Sequence, residues 1–488
     1  MKTSLPYRFM FIALLLCAHV ITSSQLLAND AKPNIVLFIA DDISWNDLGV
    51  AGHPTIKTPN IDKLAAKGLR FTNAYLTISS CSPSRCSIIT SRYPHNTGAP
   101  ELHTTLPAGH VVFPRLLKDA GYYTMLSGKH HMGNSVNHGF SKVSKGKGPG
   151  KEGDWVSLLE KRPKDKPFFC WYASTDAHRD WAINDDAPKY KSEDVVVPPY
   201  LIDGKKTRED LTGYYHEVSR FDHYIGEVTK ELAKQDVLKN TVIIVMADNG
   251  RPFPRCKTRL YDSGIKTPFI VHYPDGVKAG TTASLISSID VGSTIVDLAG
   301  LKPNERMQGV SFLPILKNHK AVTRDVVFAE HNWHVYRNHE RMVRTGDWLY
   351  IRNNFPDQQN LCVEAYKGGA GIELWEMHKT GKLTAAQRNV FWNPCPKEEL
   401  YHVGKDASQI NNVAADPKHA KTIAQMRELL ANWSKETADT IPANPTPHRD
   451  APPGDSPRDR KNFKRGEMPG ESSGAIKVNA KGPLRFKS

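Results

Sequence analysis

The chain predicts an α/β protein: a large, mostly parallel sheet sandwiched by helices, followed by a smaller C-terminal α+β domain built on an antiparallel sheet. Three observations predict it. Continuous apolar runs recur at residues 35–40, 167–172, 241–246 and 269–273, the texture of strands buried on both faces. Helical patterns lie between them, as crossovers between parallel strands require. Beyond about residue 324 the pattern changes to short strand-like segments with tight connections.

Each element has its own signal. Pro33-Asn34 leads into the first apolar run, which ends at Asp41-Asp42. Thr58-Pro59-Asn60 opens a helix through Ile61, Leu64, Ala65 and Leu69, with Pro suited to a first helical turn. Residues 115–121 end a second helix, and a strand over 122–126 follows. Residues 139–153, rich in Lys and Gly, read as a surface loop. Residues 210–235 form a long amphipathic helix, and the strand at 241–246 ends at Ala247-Asp248-Asn249. Segments 326–330, 342–344 and 348–352 supply the smaller sheet, and a helix spans 417–435. The expected boundaries are 1–28 for a leader, 29–324 for the large domain, 325–437 for the smaller one and 438–488 for a tail. That tail holds eight prolines and five glycines, with ten Lys and Arg against six Asp and Glu, so it is expected to be disordered.

Length and charge bound the rest. With 488 residues the chain exceeds one small core. Its formal net charge of +14 favours polyanions without choosing among them. Residues 1–28 read as a secretory leader: Lys2 and Arg8, an apolar run over 9–18, then Ser23, Ser24 and Ala28. The run is too short to span a bilayer comfortably. Six cysteines remain beyond it: Cys81, Cys86, Cys170, Cys256, Cys362 and Cys395. Export permits pairing, with Cys362 and Cys395 the first candidates and free thiols the alternative. No zinc-type spacing occurs.

In open parallel sheets, ligands sit beyond the C-terminal strand ends. Asp41 and Asp42 end one strand and Asp248 and Asn249 another, so four oxygen-bearing side chains meet at one edge. Such a set suits a hard divalent cation, Ca²⁺ ahead of Mg²⁺. Lys129, His130 and His131 follow a strand, as do His178 and Arg179, and Lys257 opens a polar stretch. Fixed cations and donors of this kind hold a tetrahedral oxyanion. In Cys81-Ser82-Pro83-Ser84-Arg85-Cys86, Cys81 lies ahead of a helix begun by Ser82-Pro83, where Pro suits the first turn.

These segments carry a resemblance. Cys81 to Arg85 fits the Cys-X-Pro-X-Arg signature of type I, formylglycine-dependent sulfatases of the alkaline phosphatase superfamily. The similarity runs from about Lys32 to Thr437. Ala40-Asp41-Asp42, residues 58–62, Gly128 to His131, Asp176 to Arg179, Asp248 to Pro254 and Leu400-Tyr401 match as well. Residues 249–254 and 330–334 make the chain most similar to sulfamidases (N-sulfoglucosamine sulfohydrolases). The resemblance implies an alkaline phosphatase-like fold with residues 29–324 as catalytic domain. It implies that Cys81 becomes the formylglycine nucleophile and that Asp41, Asp42, Asp248, Asn249 and residue 81 bind Ca²⁺. Arg85 would orient the modified residue, and Lys129, His131, His178 and Lys257 would surround the sulfate, with His178 as leaving-group acid. Arg179, His331 and His334 are the candidates to contact the sugar, with packing at the domain junction the alternative for the two histidines.

The implied partners are a sulfated saccharide and a formylglycine-generating or sulfatase-maturing enzyme, with no nucleic acid and no stable membrane insertion. The sequence departs from the family pattern at His130, Ala177 and Lys266, and none of these removes a catalytic group. Two other readings are a phosphoester or phosphonate hydrolase of the same superfamily and a non-catalytic polyanion-binding protein.

Overall fold

The computed structural model describes residues 32–479 apart from 360, 454 and 459. The expected leader and the end of the expected tail, residues 480–488, lie outside the described residues. In chain order the strands are β1 (Asn34–Ala40), β2 (Leu69–Phe71), β3 (Ala74–Tyr75), β4 (Tyr123–Gly128), β5 (Lys142–Ser144), β6 (Phe168–Ala173), β7 (Thr241–Ala247), β8 (Phe269–His272), β9 (Gly280–Thr282), β10 (Ile286–Ser287), β11 (Val327–His331), β12 (Glu340–Arg344), β13 (Trp348–Asn353) and β14 (Glu398–His402). The eight-stranded main sheet has the order β5-β4-β6-β1-β7-β8-β2-β9. Its neighbours pair in parallel except at β8, which is antiparallel to both β7 and β2.

The apolar runs explain the layering. Side chains alternate between sheet faces, so an unbroken apolar strand needs cover on both. Ile35, Leu37, Ile39, Val242, Ile244 and Met246 face one core with Ile88, Phe113, Leu117, Val291 and Ile295. Val36, Phe38, Ile243 and Val245 face the other, with Leu211, Tyr214, Val218, Phe221, Ile225 and Leu232. The latter six lie on the helix Lys205–Lys234 at helical spacing. That helix starts five residues earlier than its apolar stripe, because its first turn is polar and partly solvated.

The second sheet is antiparallel, ordered β11-β12-β13-β14. Strand β14 lies beyond the three segments that strand patterning picks out, since Glu398 and Glu399 open it. The helix Ala420–Thr437 covers one face through Ile423, Met426, Leu430 and Trp433. The other face meets Tyr75, Leu260, Tyr261 and Ile265 in a shared core.

Two expectations change. Cys362 and Cys395 are separate buried thiols, and Cys395 Sγ lies 3.3 Å from the carbonyl oxygens of Gln358 and Trp392. The tail, read as disordered from its composition, instead runs along the protein as far as it is described. Arg92 donates to the Val478 carbonyl at 2.7 Å, Asn96 to that of Ala475 at 2.8 Å, and Trp333 Nε1 to that of Pro447 at 2.7 Å. Phe463 stacks on Trp333 at 5.4 Å. A Pro- and Gly-rich segment with few apolar residues cannot make its own core, but it can borrow partners from one already formed. Among the described residues no helix is long and apolar enough to cross a membrane.

Candidate active site

Register brings the chemistry together. Ala40 pairs with Ala247, Ile39 with Ala173, and Gly128 with Ala173. The residues that follow these strands therefore emerge side by side: Lys129 after β4, Ser174 after β6, Asp41 after β1 and Asp248 after β7. Backbone bonds continue the alignment, from Asp248 N to Ala40 O at 3.1 Å, Asp41 N to Asp176 O at 2.8 Å and Lys129 N to Ala173 O at 2.8 Å. Gly128 has a positive φ, and a Cβ there would collide with the Ala173 carbonyl oxygen. Asp42, His131 and Thr258 hold left-handed backbone conformations at φ 60°, 55° and 73°. Non-glycine residues adopt that region at a cost, and here the turns aim their side chains inward.

Cys81 is the first residue of the helix Cys81–Thr90 and is 2% exposed. Ligand-type atoms of Asp41, Cys81 and His178 lie within 4.8 Å of one another, as do those of Asp41, Asp42 and Asp248. Burial, with Asp41 and Asp42 adding to it against Lys129 and Lys257, pushes the Cys81 thiol up to about 12. An unmodified Cys81 would thus be a protonated, weak nucleophile at neutral pH. Arg85, one turn along the helix, donates from Nε to Asp248 Oδ2 at 2.7 Å and from Nη1 to the Lys129 carbonyl at 3.0 Å.

The oxygen cluster fits a cation. Asp41 Oδ1 and Asn249 Oδ1 are buried and without hydrogen-bond partners. Asn249 Nδ2 donates to Asp42 Oδ1, which turns its own oxygen the other way. Burial raises Asp248 to about 7, Asp41 and Asp42 adding to it while Arg85 and Lys129 oppose it. Asp42 is also raised, by burial and by Asp41, despite Lys257. Three buried carboxylates within 4.8 Å of one another, with two oxygens of the cluster left without partners, offer the oxygen ligands that a hard divalent cation takes.

The cationic side is equally dense. Lys129 Nζ pairs with Asp41, and Lys257 Nζ with Asp42 at 2.7 Å. Burial would lower the Lys257 pKa, but Asp42, Cys81, Glu364 and Asp41 outweigh it and hold the ammonium charged. His131 is pushed down to about 3 by burial, Lys129 and Arg85, so its ring is neutral, and its buried Nδ1 has no partner. His178 donates from Nδ1 to the Arg179 carbonyl, which leaves its other nitrogen for the pocket. His130 turns to Asn137 Oδ1 at 2.9 Å.

The residues expected to touch the sugar separate. Arg179 forms a fork on Asp210, donates from Nε to the Pro252 carbonyl at 3.0 Å and stacks 4.7 Å from both Trp181 and Phe253. Three of its N–H groups are thus engaged in bracing the loop after His178. His331 is held in the second sheet, with Nδ1 on Glu340 Oε2 at 2.7 Å. His334 does approach the site: its Nδ1 meets Ser80 Oγ at 2.7 Å, next to Cys81. Sequence reasoning missed His103 and Glu364. His103 packs at a tilt against His131 with ring centroids 4.9 Å apart, and Glu364 Oε1 lies 3.5 Å from Lys257 Nζ. Neither stands in a motif, and only the path of the chain brings them in.

Comparison with known proteins agrees with this geometry. The Sulfatase family model matches residues 33–152 and 153–301, more than half of the chain. The model for the C-terminal part of N-sulphoglucosamine sulphohydrolase matches residues 256–359. Human N-sulphoglucosamine sulphohydrolase is 28% identical over 468 residues, covering 84% of this chain and 91% of that protein. An ulvan-active sulfatase of Formosa agariphila is 28% identical over 470 residues, covering 82% and 74%. Among solved structures, one in complex with its substrate D-glucosamine-2-N,6-O-disulfate shares the fold with TM-score 0.64 at 21% identity, over 83% of this chain and 98% of that one.

Proposed function

The chain belongs to the sulfatase family, and from that premise we propose an exported enzyme that removes sulfate from a sulfated sugar, with an N-sulfoglucosamine-type sulfamate or a carbohydrate sulfate ester as substrate. The observation that carries this reading is the position of Cys81. It starts a buried helix within 4.8 Å of both Asp41 and His178, with Arg85, Lys129 and Lys257 around it. The matches to N-sulphoglucosamine sulphohydrolase support the sugar class. The leader-like composition of residues 1–28 supports export.

Each residue has a task in this reading. Conversion of the Cys81 side chain to formylglycine would supply, once hydrated, a hydroxyl nucleophile for sulfur. Asp41, Asp42, Asp248 and Asn249 would hold Ca²⁺, which would supply positive charge to offset the meeting of a nucleophile with an anion. Arg85 fixes the helix start against Asp248 and stays charged there. Lys129 and Lys257 neutralise the sulfate oxygens, where preorganised charge needs no rearrangement during reaction. His178, anchored through Nδ1, donates a proton to the leaving oxygen or nitrogen. Neutral His131 accepts the proton of the remaining hydroxyl, so that sulfate is expelled.

Peptide mass spectrometry of the purified protein tests the nucleophile: residue 81 should carry the mass change of a CH₂SH group replaced by CHO. Full activity in Cys81→Ala would overturn the assignment. Turnover of defined sulfated saccharides, with N-sulfated glucosamine first and phosphate monoesters alongside, tests the substrate class. Turnover of O-sulfated glycans alone would remove the sulfamidase-like assignment, and a preference for phosphate monoesters would remove the sulfatase one.

A further inference from the structure

Resting on the reading above, we propose that Glu364 is a specificity-determining residue that accepts a hydrogen bond from a neutral O–H or N–H group of the sugar beside the sulfate. Glu364 lies in the short turn Val363–Ala365 of the C-terminal region, far in sequence from every other residue of the pocket. Its side chain is 10% exposed, and its Oε1 stands 3.5 Å from Lys257 Nζ. Its second oxygen, Oε2, is buried and has no hydrogen-bond partner. A buried carboxylate oxygen left unpaired costs free energy, so the site is built for a donor that arrives with the ligand.

The surroundings say what kind of donor. Burial would raise the Glu364 carboxyl, but Lys257, His334, its own backbone N–H and His178 outweigh burial and bring it down to about 2, so it is ionised. The same Lys257 and His178 flank the sulfate side of the pocket. A ligand group bound by Glu364 would therefore lie close to Lys257. Charge chooses between a cation and a neutral donor. Lys257 already lies against Glu364 and Asp42, and Lys129 and Arg85 stand on the other carboxylates. An ammonium on the ligand would enter beside cations that already occupy this carboxylate's field, whereas a hydroxyl or amide-type N–H adds a bond with no added charge. Sugar rings carry such donors on the carbons next to a sulfated position, and simple aryl sulfates do not.

Glu364 also touches Lys257, so a purely positioning role is the competing account. Geometry separates the two. Lys257 keeps a closer partner in Asp42, at 2.7 Å, and that contact does not depend on Glu364. Removing Glu364 should leave Lys257 in place and leave the reaction on a substrate without flanking donors intact.

The test compares two substrates in wild type, Glu364→Gln and Glu364→Ala, each with residue 81 matured and Ca²⁺ supplied. One substrate is N-sulfated glucosamine and the other 4-nitrophenyl sulfate. On the sugar, kcat/KM should fall about 10- to 100-fold in Glu364→Ala, with a smaller fall in Glu364→Gln, which keeps one acceptor. On the aryl sulfate, both variants should stay within about threefold of wild type. Equal losses on the two substrates would overturn the proposal and make Glu364 a positioning residue for Lys257, and no loss on either would remove it from the pocket. Wild-type turnover of the aryl sulfate tests the sulfatase reading by itself, so its failure is distinct from a failure of the substrate ratio.

Discussion

Arg85 shows how much one side chain can settle at the residue scale. It is fully buried, its Nε lies 2.7 Å from Asp248, and its Nη1 ties the helix start to the strand end at Lys129. Asp248 is pushed to about 7 even with Arg85 beside it. Arg85→Ala removes that carboxylate's hydrogen-bonded partner and leaves Lys129 to oppose its burial, and a broken buried pair typically costs about 3–5 kcal/mol. Arg85→Lys keeps a charge but loses the two-pronged geometry, so kcat should fall about 100-fold or more while the protein still folds. Thermal melting and steady-state kinetics on the two variants check both parts. The cation makes a second prediction. Chelation should abolish activity and lower the melting temperature, because a cation bound to the folded site and not to the unfolded chain stabilises the fold. Adding Ca²⁺ should restore both, and activity untouched by exhaustive chelation would remove the cation from the mechanism.

At the element scale, helix ends are secured by residues far away in the chain. The helix Pro59–Ala66 has no side-chain cap from its own Thr58. Its first N–H groups are bound by Asp222 on the long helix Lys205–Lys234, with Ile61 N donating to Oδ1 at 2.7 Å and Asn60 N to Oδ2 at 3.2 Å. Asn60 Nδ2 adds a third bond at 2.8 Å. Asp222→Ala should therefore cost about 1–2 kcal/mol, the range for a lost cap, and more if the freed N–H groups stay dry. Urea unfolding measures the loss. Activity per folded molecule should not change, since neither helix end reaches the sulfate pocket. The start of the helix Cys81–Thr90 differs, because Ser80 is held by His334 from the second sheet region. The position of Cys81 thus depends on the C-terminal part of the chain.

At the scale of the whole molecule, the C-terminal arm closes over the region beside the site. Glu101 is its anchor, taking a hydrogen bond from Thr446 Oγ1 at 2.8 Å and pairing with Arg465 at 2.8 Å. Burial raises Glu101 to about 7, with Thr446 and Arg465 opposing. A carboxyl raised on folding binds more protons in the native state than in the unfolded one. Its contribution is complete below about pH 4.5, its usual value, and is lost as pH rises through about 7. Stability should therefore decline over that window, and Glu101→Gln should flatten the decline. Urea midpoints across the window read the slope, and identical slopes in the two proteins would exclude Glu101 as its source.

Local composition and periodicity by themselves determined the main sheet, its two helical layers and the residues that close its strands. Those features are local: an apolar run has few ways to be buried, and a polar residue just after it must lie at the sheet edge. The meeting of Asp41, Asp42, Asp248, Asn249, Lys129 and His178 at the strand ends was legible for that reason, and the family resemblance added Cys81, His131 and Lys257 with the roles proposed above. The tertiary structure alone decided which charged side chains were already committed. Arg179 and His331 read as candidate sugar contacts until Asp210 and Glu340 are found beside them. It alone also brought Glu364 and His103 to the pocket and docked an arm whose composition reads as disorder. The docked arm and Glu364 meet partners more than a hundred residues away, Arg179 reaches Asp210 31 residues on, and His331 meets Glu340 across the β11–β12 pairing, so each contact exists only once the chain has folded.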